Sequence, residues 1–142
     1  LATKPNIPAV VIWAGAVFSY EDFMKYRISD SSYQPQMRTG RTARRQQLLA
    51  AHGEPNGDTI FWQQVAPTTY LSDIKGAIQL HHAVDDDVVN VGYSRDLQTL
   101  LNTTSIPHEF YEYSSGGHNI SDGNFTTAMQ RTVEFFKKNL EK

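Results

Sequence analysis

At 142 residues, with 39% hydrophobic and 11% aromatic content, the chain suits one soluble globular domain that buries its core without staples. A formal net charge of −2 gives no reason to expect nucleic acid or an anionic membrane as partner. No apolar run approaches the roughly 18 residues of a membrane span, and the lack of cysteine excludes disulfides and thiolate metal sites. The chain starts Leu1-Ala2-Thr3, with neither an initiator methionine nor a signal sequence, which reads as a processed or truncated product. Its compartment is unknown from sequence. Asn102, Asn119 and Asn124 each open an Asn-X-Ser/Thr triplet, which in a chain rich in these residues reads as chance.

In chain order, Ile7 to Ala14 is almost unbroken in apolar, largely β-branched residues, the pattern of a strand covered on both faces of a parallel sheet. Pro8 then belongs at its first residue or on an edge. A segment of about residues 24–58 reads as an insertion or lid-like piece, irregular and polar to about Arg41. Helix is expected from about Thr42 to Ala51, with Leu48, Leu49 and Ala51 inward and Gly53 as its stop. Arg38, Arg41, Arg44 and Arg45 form a basic cluster with few aromatics between them, too little for a nucleic-acid surface. Glu54 to Gly57 is turn chemistry. From Thr59 to Leu71 a short helix, then an extended stretch after Pro67, is expected to wall the site.

Ile74 to His82 reads as the second strand, Val91 to Thr103 as a helix carrying Tyr93, Leu97, Leu100 and Leu101, and His108 to Tyr113 as the third strand. The closing helix, about Asn124 to Leu140, shows one apolar stripe of Phe125, Met129, Val133, Phe136 and Leu140. Strand, helix, strand, helix predicts a parallel sheet with right-handed crossovers.

Functional residues in such a sheet gather in loops at the carboxyl ends of strands. Two loops qualify, an acid loop at about 83–90 and a histidine loop at about 114–121. Asp85, Asp86 and Asp87 follow the second strand, and Gly116-Gly117 presents His118 after the third. On adjacent parallel strands an aspartate is placed to accept the Nδ1 hydrogen of His118, leaving the other ring nitrogen outward as a general base. His81 and His82 read as strand caps. A metal site of His82, Asp86 and His118 lacks ligand spacing, so no metal and no cofactor is expected.

HHAVDDDVVNVGYSRDL resembles the acid loop and following helix of the prolyl oligopeptidase family of α/β-hydrolases, whose pattern is like HHGTADDVVPVSYSEDL. YEYSSGGHNI resembles that family's histidine loop, FTTAMQRTVEFFKKNL its closing helix, and VVIWAGAVFSYED, less closely, a strand and turn beyond its nucleophile elbow. The match is good from about Phe61 to Leu140. The resemblance implies an α/β fold, the C-terminal portion of an α/β-hydrolase with about three parallel strands, flanking helices and an irregular insertion. It implies Asp86 and His118 as the catalytic acid and base. The departures are Ala83 for glycine, Asn90 for proline and Asp85 for a small neutral residue; the last keeps Asp85 open beside Asp86 as the triad acid. No G-x-S-x-G occurs, and in the family that serine lies N-terminal to all of this.

The expected function is therefore part of a serine hydrolase, peptidase or carboxylesterase, acting on an ester or peptide bond with the serine on a separate N-terminal segment as second chain. The alternative is an inactive, self-associating homo-oligomer, because a fragment of parallel sheet leaves an unpaired edge. Autonomous catalysis by Ser114 or Ser115 lacks a strand-to-helix elbow.

Overall fold

The computed structural model describes residues 6–26, 35–54 and 59–140. Three parallel strands lie in the order β1 (Ala9–Trp13), β2 (Ala77–Ala83), β3 (His108–Tyr113). The register pairs Ala9 with Ala77 and Trp13 with His81, then Ile78 with His108 and Ala83 with Tyr113. Helices α1 (Tyr20–Lys25), α2 (Pro35–His52) and α3 (Ile60–Val65) fill the long connection from β1 to β2. Helix α4 (Gly92–Leu101) joins β2 to β3, and α5 (Gly123–Leu140) closes the chain. Among the described residues no helix is long and apolar enough to cross a membrane.

β2 is the middle strand and all seven of its residues are buried. Alternation along the strand divides it between two layers. Ile78 and Leu80 meet Leu97 and Leu101 of α4 together with Ile106. On the other face Ala77 packs with Ala9 and Phe135, and Ala83 with Tyr113, Ile120 and Ala128. Gln79 and His81 share that face and are buried polar groups, so each needs partners. The His81 Nε2–H donates to Gln79 Oε1 at 2.7 Å, and Nδ1 accepts the Tyr113 hydroxyl at 2.9 Å. Gln79 Nε2 in turn donates to Glu109 at 2.9 Å. The histidine pair thus lies inside the strand rather than capping it, since β2 runs one residue beyond His82.

Three further expectations change. The 24–58 segment is less irregular than its composition suggests: α2 starts at Pro35, not near Thr42, because proline is well placed in a first helical turn and Gln, Met and Arg are good helix formers. Leu48 and Ala51 are exposed rather than inward, and α2 presents few apolar residues to anything. After Pro67 the backbone forms a 3₁₀ helix, Pro67–Asp73, rather than an extended stretch, and its Leu71 packs on the α4 layer instead of walling the loops. On α5 the predicted stripe is largely uncovered: Phe125, Met129, Val133 and Leu140 are 40–58% exposed, and Ala128 and Phe135 are the buried residues. Residues 55–57 of the expected turn, and 27–34 of the polar stretch, lie outside the described residues.

Burial, with the Arg131 guanidinium nearby, pushes His81 down to about 4 from its ordinary 6.5, so it is neutral in the folded protein. Between those two values the unfolded chain binds the proton and the folded one does not, so stability falls as pH drops through that window. Urea unfolding is expected to show a midpoint that declines from pH 6.5 towards pH 4, by up to roughly tenfold in the folding equilibrium per pH unit. His81→Gln is expected to flatten that slope; an unchanged slope would remove His81 as its source.

Candidate active site

The acid loop is built by one carboxylate folding back on its own backbone. Asp86 Oδ1 accepts the N–H groups of Val88 and Val89, both at 2.9 Å, closing the turn after β2. Oδ2 lies 3.0 Å from His118 Nδ1 and 3.1 Å from His82 Nε2. The Asp86 side chain is fully buried. Burial alone pushes its acidity down, but the Val89 N–H, the His118 ring and the Val88 N–H outweigh it, and the carboxyl sits below its ordinary value. It is therefore an anion in the folded protein at neutral pH.

The two imidazoles that meet this anion differ in role. His82 Nε2 also lies 2.9 Å from the Val89 carbonyl, which can only accept, so Nε2 carries the hydrogen. Nδ1 then accepts the Ser94 hydroxyl at 2.7 Å, from the first turn of α4. With both nitrogens engaged and no exposed surface, His82 orients and does not react. His118 donates its Nδ1 hydrogen to Asp86, is 39% exposed, and has no partner on Nε2 among the described residues. That nitrogen is the one free to take a proton.

The three aspartates separate by position. Asp85 does not touch the ring: its carboxylate accepts the N–H of Gly117 at 2.9 Å and of Gly116 at 3.2 Å, tying the acid loop to the histidine loop. Asp87 is exposed. Gly116 has φ +128° and a Cβ there would press on the Ile120 backbone at 3.0 Å, so the turn that delivers His118 requires glycine. Asn90, where the resembled family has proline, accepts the Gly92 N–H at 2.8 Å and supports the start of α4. Gly92 itself admits no side chain, because a Cβ would lie 2.3 Å from the Tyr26 ring.

Asp86 and His118 are thus brought together across adjacent strand ends. Ser114 and Ser115 are exposed and neither hydroxyl bonds the His118 ring among the described residues. His82, Ser94 and the loop-tying role of Asp85 were not foreseen. The available signal for His82 was its place four residues before Asp86, which a strand followed by a tight turn brings back into contact.

No protein-family model matches the sequence, and no curated protein does. Solved structures do. Acylaminoacyl peptidase of Pyrococcus horikoshii, in its orthorhombic crystal form, superposes with a TM-score of 0.62 at 17% identity, over 98% of this chain and 21% of that one. Acylaminoacyl peptidase in complex with Z-Gly-Gly-Phe-chloromethyl ketone gives 0.63 at 18% identity, over 99% of this chain and 21% of that one. The uncomplexed Pyrococcus horikoshii enzyme gives 0.63 at 18%, again over 99% of this chain. The fold is the C-terminal portion of an α/β-hydrolase. The chain spans about a fifth of the length of these α/β-hydrolase-fold structures. At such identity the similarity describes the fold, and the chemistry rests on the geometry above.

Asp86→Ala leaves two imidazole donors and two buried N–H groups without an acceptor, and is expected to cost about 2–4 kcal/mol in urea unfolding. Asp85→Ala frees only half-exposed glycine N–H groups and is expected to cost about 0.5–1.5 kcal/mol. The reverse order would make Asp85 the anchoring carboxylate.

Proposed function

We propose that this chain supplies the acid and base of a serine hydrolase whose nucleophile resides on another polypeptide segment. The observation that carries the reading is the 3.0 Å contact from His118 Nδ1 to the buried Asp86 carboxylate, with Nε2 left accessible. Asp86 fixes the tautomer and stabilises the imidazolium that forms during turnover. His118 Nε2 removes the proton of an incoming serine hydroxyl as the serine oxygen attacks a carbonyl carbon. The same nitrogen then returns the proton to the leaving amine or alcohol, and water repeats the cycle to release the acyl group. His82, held by Ser94 and the Val89 carbonyl, keeps Asp86 aimed at His118.

The resemblance to the prolyl oligopeptidase family and the fold shared with acylaminoacyl peptidases support a carbonyl substrate, an ester or a peptide bond. The serine is not Ser114 or Ser115, since neither sits on an elbow facing His118 Nε2. A G-x-S-x-G segment is required, and the sequence contains none.

In an assembly with a nucleophile-bearing segment, a fluorophosphonate probe is expected to label that segment and not this chain. His118→Ala is expected to abolish both labelling and ester turnover, and Asp86→Asn to reduce kcat by about 10⁴-fold. Ester hydrolysis retained in His118→Ala would sink the assignment.

A further inference from the structure

The open edge of β1 and the uncovered stripe of α5 adjoin, and they share a symmetry. The Pro8 carbonyl accepts the Ala77 N–H at 2.9 Å, and the Ala14 N–H donates to the His81 carbonyl at 2.8 Å. Backbone groups alternate in direction along a strand, so Val10 and Ile12 also face β2, and Ala9, Val11 and Trp13 turn their N–H and C=O outward. Among the described residues nothing pairs with those outward groups. The strand carries no charge, proline or bulge, the usual protections of an edge.

Helix α5 lies over the gap between β1 and β2, because Phe135 packs on both Ala9 and Ala77, which are register partners. Phe125, edge-on to Trp13 with ring centroids 5.8 Å apart, and Phe136, against the Ala9 and Val11 cluster, mark the β1 side of the helix. Met129, Val133 and Leu140 continue that side at helical spacing and are exposed.

We infer that a second copy of the chain covers this surface, β1 running antiparallel to β1 about a two-fold axis through Val11. In that register Val11 pairs with Val11 of the second copy, and Ala9 with its Trp13. All are hydrogen-bonded pairs, so every outward N–H and C=O finds a partner. A register shifted by one residue would pair outward groups with groups already bound to β2. The axis stands perpendicular to the sheet and keeps both α5 helices on one face. Each helix lies one strand spacing from the axis, so the two are about 9.5 Å apart, within the 8–10 Å of packed helices. At the level of Val11, between the contacts of Trp13 with Thr132 and of Ala9 with Phe135, the axis passes α5 near residue 131. Met129 then meets Val133 of the second copy, apolar on apolar. This contact uses no residue of the Asp86–His118 couple, and it gives the chain a self-associated state independent of any nucleophile-bearing segment.

The test is sedimentation equilibrium of the full 142-residue chain, from about 1 to about 100 μM. The expected species is a dimer of the 16.0 kDa chain. Val11→Pro deletes an outward N–H and no bond to β2, and Val133→Lys charges the exposed stripe; each is expected to give a monomer with the circular dichroism of the parent. The chain has no cysteine, so Val133→Cys is expected to oxidise to a covalent dimer, while Thr99→Cys on the exposed side of α4 does not. A monomer throughout that range overturns the inference and leaves the edge to a strand of a different polypeptide. A dimer unmoved by both variants and not cross-linked through residue 133, or a series of ever larger species, overturns it equally. Either result leaves the serine-hydrolase reading untouched, which is decided by fluorophosphonate labelling.

Discussion

A single buried carboxylate ties together the two loops that follow β2 and β3. Asp86 has no contact with water, and an ion so placed persists only when its lone pairs are all engaged. Two backbone N–H groups of its own turn take one oxygen and two imidazoles take the other. The first pair sets the shape of the acid loop. The second pair binds the loop to β2 through His82 and to the segment after β3 through His118. The same interactions that make the anion tolerable therefore give His118 a defined tautomer, and stability and chemistry are linked through one group.

β2 makes this possible because its two faces do different work. His82 points to the α4 layer and reaches Ser94 and Asp86, whereas His81 points to the α5 layer and is locked between Gln79 and Tyr113. Two adjacent histidines in one strand thus have opposite environments, a direct consequence of the two-residue period of a strand. One supports an anion. The other is a neutral core residue whose protonation opposes folding.

The outer side of the sheet follows a different rule. β1 is apolar on both faces, yet β2 occupies only one of its edges. Beside it α5 turns Met129, Val133 and Leu140 away from its own core. An apolar strand edge and an apolar helix flank side by side are costly to leave in water. The hydrolase geometry and the association surface therefore occupy separate parts of the molecule, the strand ends and the β1 flank.

Much of the architecture was legible in the sequence. His108 to Tyr113 alternates as a strand, the leucines of α4 recur at helical spacing, and Asp86 and His118 stand after strands where a parallel sheet gathers its chemistry. These follow from local periodicity and from the topology that periodicity implies. The start of α2 was missed because a helix with little apolar content has no period to read. The choice among three consecutive aspartates, the supporting role of His82 and the exposure of the α5 stripe were decided only by tertiary structure. Each depends on which groups stand opposite across a strand or a helix, and that is set by non-local contact. The sequence by itself determined that a carboxylate and an imidazole would share one edge of the sheet. Folding decided that the carboxylate is Asp86, because only its side chain turns inward, where burial forces it to take every donor within reach.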